Sequence, residues 1–122
     1  MPPTDQELRE AIADVRDPCC VMNRTHLTLE DLGLVERVHR DESGHVTVDL
    51  LLTEPTCLYY FHMAHDIEAV LKDVPGVSGV TVNSLTDRLW DTDRMRPEAR
   101  ERTERMRRRR AERLGIRPAG AA

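Results

Sequence analysis

In "TEPTCLYY" (residues 53–60) a cysteine, Cys57, stands two positions past Pro55, where a strand-like run gives way to a helix-like one. At a helix start the unpaired backbone N–H groups and the positive end of the helix dipole favour ionisation of a thiol. Thiolate is the form that binds metal or attacks a partner, so Cys57 is the first candidate for chemistry. A cysteine there can equally be a small packing residue. Thr53 or Thr56 is positioned to cap the helix. Cys19 and Cys20 follow Asp17-Pro18. Adjacent cysteines rarely offer both sulfurs to one metal without backbone strain, so one of them at most is a candidate ligand. Burial of both as small residues is the alternative. His62 and His65, three apart on a helix-like segment, have a spacing compatible with metal binding. They fall outside the apolar stripe of that segment, where His62 and Asp66 form an ordinary i,i+4 surface pair. The paired CxxC knuckles of a strong zinc site are absent.

The elements that must hold these residues are readable from periodicity. "TDQELREAIADV" opens on Thr4 with Glu7 three residues on, and Leu8, Ile12 and Val15 share one face, which predicts a helix over 5–15. Residues 18–30 have no clean period and read as a loop. "LGLVERVHR" (32–40), "DESG" and "HVTVDLLLT" (45–53) read as a β-hairpin, with Val46, Val48, Leu50 and Leu52 turned inward. From Cys57 to about Lys72 the period becomes helical, with Leu58, Phe61, Ala64, Ile67 or Glu68, and Leu71 as its stripe. Pro75-Gly76 turns into a third strand with Val80 and Val82 on one face. The expectation is an α+β fold, a small three-stranded sheet packed by two helices in the order α-β-β-α-β, plus an Arg-rich C-terminal helix.

That helix, 96–114, begins at Pro97 and spaces Glu98–Arg102, Glu101–Arg105 and Glu104–Arg108 as i,i+4 pairs. Its thin apolar content (Met95, Ala99, Met106 and Leu114) predicts loose attachment, with a disordered "RPAGAA" end. The chain therefore divides into a domain over 1–93 and a basic extension over 94–122. The net charge of −4 conceals an acidic body and a basic tail. Residues 1–93 hold seven basic and eighteen acidic residues, and residues 94–117 hold eleven arginines and four glutamates.

With 122 residues, 39% hydrophobic and 33% charged, one modest core is expected. No run of about 18 apolar residues exists, so no membrane span is expected. "MPPTDQELRE" has neither the basic start nor the apolar stretch of a secretory signal. Three cysteines without framework spacing fit a reducing cytoplasm better than export. No nucleophile–base or acid–base set is visible, so an enzyme is not expected. The basic tail has no aromatic to stack on bases and its stripe is interrupted by glutamates, which weighs against nucleic acid. An acidic partner protein or this chain's own acidic body is an equally good target, and a solvated helix with no partner is the plain alternative.

Four motifs occur in order: "DP" at 17–18, "EDLGLVERV" at 30–38, "VTVDLLLTEPTC" at 46–57 and "VPGVSGVTV" at 74–82. Together they resemble the SufT/PaaD-like metal–sulfur cluster biosynthesis family, the domain-of-unknown-function 59 type. The resemblance covers about residues 5–90. It departs from the family pattern at Cys19, where a glutamate is usual, in a longer loop before Asp31, at Leu58, and at Trp90-Asp91. It implies a non-enzymatic accessory factor that assembles an iron–sulfur cluster or iron, or delivers it to a client metalloenzyme. In that role the cargo is held transiently by Cys57, with Asp17, Thr53 and Pro55 shaping the pocket and Cys19 as a candidate second ligand. The implied partners are the client and other iron–sulfur assembly proteins, and a homodimer is compatible with the family. The alternative is an interaction module that recruits a client oxygenase or an acidic partner through the basic helix, with Cys57 structural.

Overall fold

The computed structural model describes residues 2–18, 26–53 and 60–115. Its elements run α1 (Asp5–Ala11), α2 (Leu29–Leu32), β1 (Val35–Arg40), β2 (His45–Leu50), α3 (Tyr60–Lys72), β3 (Gly79–Ser84), a 3-10 turn (Thr92–Arg94) and α4 (Pro97–Leu114). The α+β expectation holds, with a three-stranded sheet in the order β1-β2-β3. β1 and β2 form the antiparallel hairpin, and β3 lies parallel to β2 after the α3 crossover.

The alternation along β2 is why one face is dry. Val46, Val48 and Leu50 are fully buried, and Leu8 of α1 and Ile12 at its C-cap pack with Met63, Ile67 and Leu71 of α3 in the same core. Burying each such side chain stabilises the fold by about 1.5–3 kcal/mol. The opposite face is polar. There His45 Nε2 meets Thr81 Oγ1 at 2.7 Å, and Asn83 Nδ2 donates to Asp49 Oδ1 at 3.0 Å.

Both sheet edges are partly protected, as exposed edges must be to avoid pairing with another chain. On β1, Arg9 donates to Val35 O at 2.7 Å, while Asp5 Oδ1 accepts from Arg40 N at 3.0 Å. On β3, Tyr60 Oη donates to Val82 O at 2.9 Å.

Several expectations change. α1 ends at Ala11 rather than Val15, because Ala13 N and Val15 N donate three residues back in tight turns. Val15 still packs against the core, so its apolar period outlives the helix. Within 18–30, read as a loop, Thr28 caps α2 in a capping box with Asp31. β1 begins at Val35, not residue 32, and β2 ends at Leu50.

On α3 the buried stripe is Met63, Ile67 and Leu71, whereas Phe61 is 76% exposed. Successive steps of three back from Ile67 drift by roughly 60° each on a 3.6-residue helix, which carries Phe61 off the buried face. α4 joins the main core only at its root, through Ala99 in its first turn and Met95 just before it. None of its three expected i,i+4 pairs forms among the described residues. Arg102 reaches Asp31 instead, at 3.6 Å.

Candidate functional site

The site is built on one end of the sheet. α1 runs antiparallel to β1: Asp5 sits at Arg40, and Arg9 at Val35. The chain leaving α1 therefore arrives where β1 begins, and in the antiparallel hairpin that is where β2 ends, since Val35 lies opposite Leu50. Residues 15–17 are held there by α2 and the residues before it: Leu29 N donates to Val15 O at 2.8 Å, Asp17 N donates to Leu27 O at 3.0 Å, and Arg16 bridges Thr28. Asp17 is only 3% exposed. An aspartate is rarely buried to this degree, which marks it as more than surface.

The other wall comes from β2. Leu50, Leu51 and Leu52 are all buried, Leu51 N donates to Leu34 O at 2.8 Å, and Leu85 N donates to Leu50 O at 2.8 Å. Thr53 follows, half-buried, and the chain is fixed again at Tyr60. Burial raises the Tyr60 pKa, keeping the hydroxyl protonated to donate to Val82 O. Its ring meets Phe61 edge-on at 5.4 Å. Asp17 and Thr53 are thus brought to the same end of the sheet. Cys19, Pro55 and Cys57 lie outside the described residues, as do the helical turn expected at Cys57 and the C-terminal end expected to be disordered.

Periodicity does not reveal what closes this end. Residues 85–96 pass from β3 across to β1 as a strap. Trp90 Nε1 donates to Leu32 O at 2.7 Å, Arg94 Nε donates to Gly33 O at 2.9 Å, and Arg94 Nη2 pairs with Glu36 at 2.7 Å. Arg88 adds a second guanidinium 3.2 Å from Glu36. The Arg94 hydrogen bond is the main reason the Glu36 carboxyl sits below the usual range, and the charges of Arg88 and Arg94 add to it.

The histidines are ordinary surface groups. His62 pairs with Asp66 at 3.3 Å on the solvent side of α3, where His65 is also exposed, and His39 meets Asp5 at 3.2 Å. Among the described residues no three His, Cys, Asp or Glu side chains cluster as a metal site. No helix among them is long and apolar enough to cross a membrane. The cleft between α1, α2 and β1 is about 180 Å³. That is below the roughly 300 Å³ of typical ligand pockets.

Set beside known proteins, this arrangement is a recognised one. The model of the iron–sulfur cluster assembly protein family matches residues 5–83, and the chain belongs to that family. It is 30% identical over 96 residues to an Fe-S protein maturation auxiliary factor of Porphyromonas gingivalis, covering 79% of this chain and 87% of the relative. A second relative, the Fe-S protein maturation auxiliary factor SufT of Staphylococcus aureus, is 30% identical over 69 residues, 57% of this chain and 78% of its own length. The solved domain of unknown function DUF59 from Bacillus anthracis superposes with a TM-score of 0.68 at 25% identity, covering 93% of this chain and 92% of that one.

Proposed function

We propose that the protein is a non-enzymatic accessory factor in iron–sulfur maturation that holds an iron–sulfur cluster or iron transiently through Cys57 and passes it to a client metalloenzyme. The observation that carries the reading is the position of the "TEPTC" segment. In sequence it joins the carboxyl end of β2 to the start of the α3 crossover, the sheet end at which Asp17 is held. Leu50–Leu52 on one side and Tyr60 on the other are anchored, so the thiol belongs to a short span between fixed points. Buried Asp17 lies at the same sheet end, and Thr53 and Pro55 border the thiol in sequence. Cys19, two residues past Asp17, is the candidate second ligand. The names of the relatives, both auxiliary factors in Fe-S protein maturation, support the assignment of iron and sulfide as cargo. A site with few strong ligands suits a carrier, which must also release. The reducing cytoplasm is the compartment in which free thiols stay available.

The test is anaerobic reconstitution with iron and sulfide, reading visible absorption and iron content for wild type, Cys57→Ser and Cys19→Ser, with folding matched by circular dichroism. The expected result is loading by wild type, loss in Cys57→Ser and partial loss in Cys19→Ser. Equal loading by wild type and Cys57→Ser would remove the thiol from the function. Retention of the cluster by wild type in the presence of a competent apo-protein would remove the carrier role.

A further inference from the structure

The charge of α4 is divided along its length. At its root Arg96 lies 3.4 Å from Asp31, Arg100 lies 3.2 Å from Asp93, and Arg102 lies 3.6 Å from Asp31. Past Arg102 come six exposed arginines: Arg105, Arg107, Arg108, Arg109, Arg110 and Arg113. None of them makes an ion pair or hydrogen bond among the described residues, and Glu101, Glu104 and Glu112 also lack ion pairs there. The body's carboxylates at Asp31 and Asp93 are already engaged by the root.

Helical spacing sorts the free charges. At roughly 100° per residue, Arg105, Arg109 and Arg113 succeed one another along one side. Met106 is half-buried beside them and shares a shallow groove with Arg109, Glu112 and Arg113. Glu104 falls on the neighbouring side with Arg108, while Glu101 precedes Arg105 by one turn in the same row and Glu112 borders it, so the row is cationic chiefly over Arg105–Arg113. Like charges at i,i+4 destabilise a helix, so Arg105–Arg109 and Arg109–Arg113 repel, and Glu101 and Glu112 offset three guanidinium groups only in part.

We propose that this side of α4 is a docking surface for an acidic helical segment of a partner protein, with Arg105, Arg109 and Arg113 each taking a carboxylate and Met106 the apolar contact. The proposal rests on the accessory-factor reading for the partner's role and names its chemistry. Guanidinium groups pair with carboxylates through two parallel hydrogen bonds, and side chains one helical turn apart on a partner match the i,i+4 spacing. A nucleic acid fits less well. Trp90, the only tryptophan, is spent on Leu32 O, the helix has no aromatic, and its glutamates oppose a continuous phosphate backbone.

The experiment titrates the full chain, at about 150 mM salt, against a labelled helical peptide of roughly 20 residues with glutamates at i, i+4 and i+8. Comparison probes are a peptide of the same composition with those glutamates redistributed around the helix and a single-stranded DNA of similar charge. The matched peptide should bind more tightly than either. Arg105→Glu/Arg109→Glu/Arg113→Glu should lower its affinity on the order of tenfold, as three partly screened pairs would. The corresponding triple Arg→Gln variant, which keeps helix-forming residues, should weaken it less steeply and settles the matter if charge reversal unfolds α4. DNA binding as tight as the peptide's, no preference for the matched peptide, or an unchanged affinity in both variants overturns the proposal. Iron loading separates the two readings: the arginine variants should load like wild type, and Cys57→Ser should bind the peptide like wild type.

Discussion

Gly33→Ala is the substitution whose consequence can be worked out most fully from the structure. Gly33 ends α2 in the left-handed region at φ 64°, and a Cβ there would lie 2.1 Å from the carbonyl oxygen of Arg94 and 2.8 Å from its carbon. Ordinary contact begins near 3.4 Å, so the strap must retreat. Retreat breaks the Arg94 Nε–Gly33 O and Arg96 N–Asp31 O bonds, strains the Arg94–Glu36 pair, and loosens Met95. The left-handed backbone costs about 1 kcal/mol for alanine, and two lost hydrogen bonds add about 1 kcal/mol each. The expected loss is about 3 kcal/mol, a fall in Tm of roughly 10 °C for a domain of this size. Urea and thermal unfolding of Gly33→Ala and Gly33→Asn distinguish the two contributions. Asparagine tolerates the left-handed region but carries the same Cβ, so it should restore only a few tenths of a kcal/mol. A Gly33→Asn protein close to wild type would show that backbone strain, not the approach of Arg94, is what the glycine relieves.

Acid should act on the same corner of the molecule. The folded-state pKa of Glu36 is held below its ordinary 4.5, first by the hydrogen bond from Arg94. The contribution is therefore complete above 4.5 and is lost as pH falls through the folded value. Asp5, held down by the Arg40 backbone N–H, and Asp41, held down chiefly by Ser43, act in the same direction. Glu36→Gln should be less stable than wild type near neutral pH and should lose less stability on acidification, measured by urea unfolding across the range; parallel curves would place the acid sensitivity elsewhere. The register of α3 is tested by a pair of truncations. Phe61→Ala should stay within about 0.5 kcal/mol of wild type, while Ile67→Ala, at a fully buried position, should cost about 2–5 kcal/mol.

What could be read from the chain was what repeats. The alternation of 45–50 decided which face of β2 is dry, and the Pro75-Gly76 turn marked the entry to β3. α2 escaped because four residues cannot show a period; its only local signal is the Thr28–Asp31 capping box. The tertiary partner decided the fate of Arg102, for which Glu98 is one turn away but Asp31 is the carboxylate reached. For the candidate site, the shared sheet end of Asp17 and Thr53 follows from the element order once α1 is antiparallel to β1. The burial of Asp17 does not, because nothing local distinguishes a buried aspartate from the many exposed ones.

The strap and α2 join the proposed thiol site and the proposed docking face of α4 through a short series of direct contacts. α4 is rooted on Asp31 by Arg96 and Arg102. Asp31 closes the capping box on Thr28, and Thr28 bridges Arg16, the neighbour of Asp17. On the strap side, Arg94 grips Gly33 and Glu36, one residue from the start of β1 and thus beside the exit of β2. A segment docked on α4 is consequently tied to the same end of the sheet that carries Asp17 and Thr53, not to the polar face or to the β1–β2 turn. Tethering of this kind raises the local concentration of a partner without adding any contact at the transfer site itself. In the proposed reading the thiol span stays short and weakly liganded, and partner selection rests on arginines that make no ion pair among the described residues.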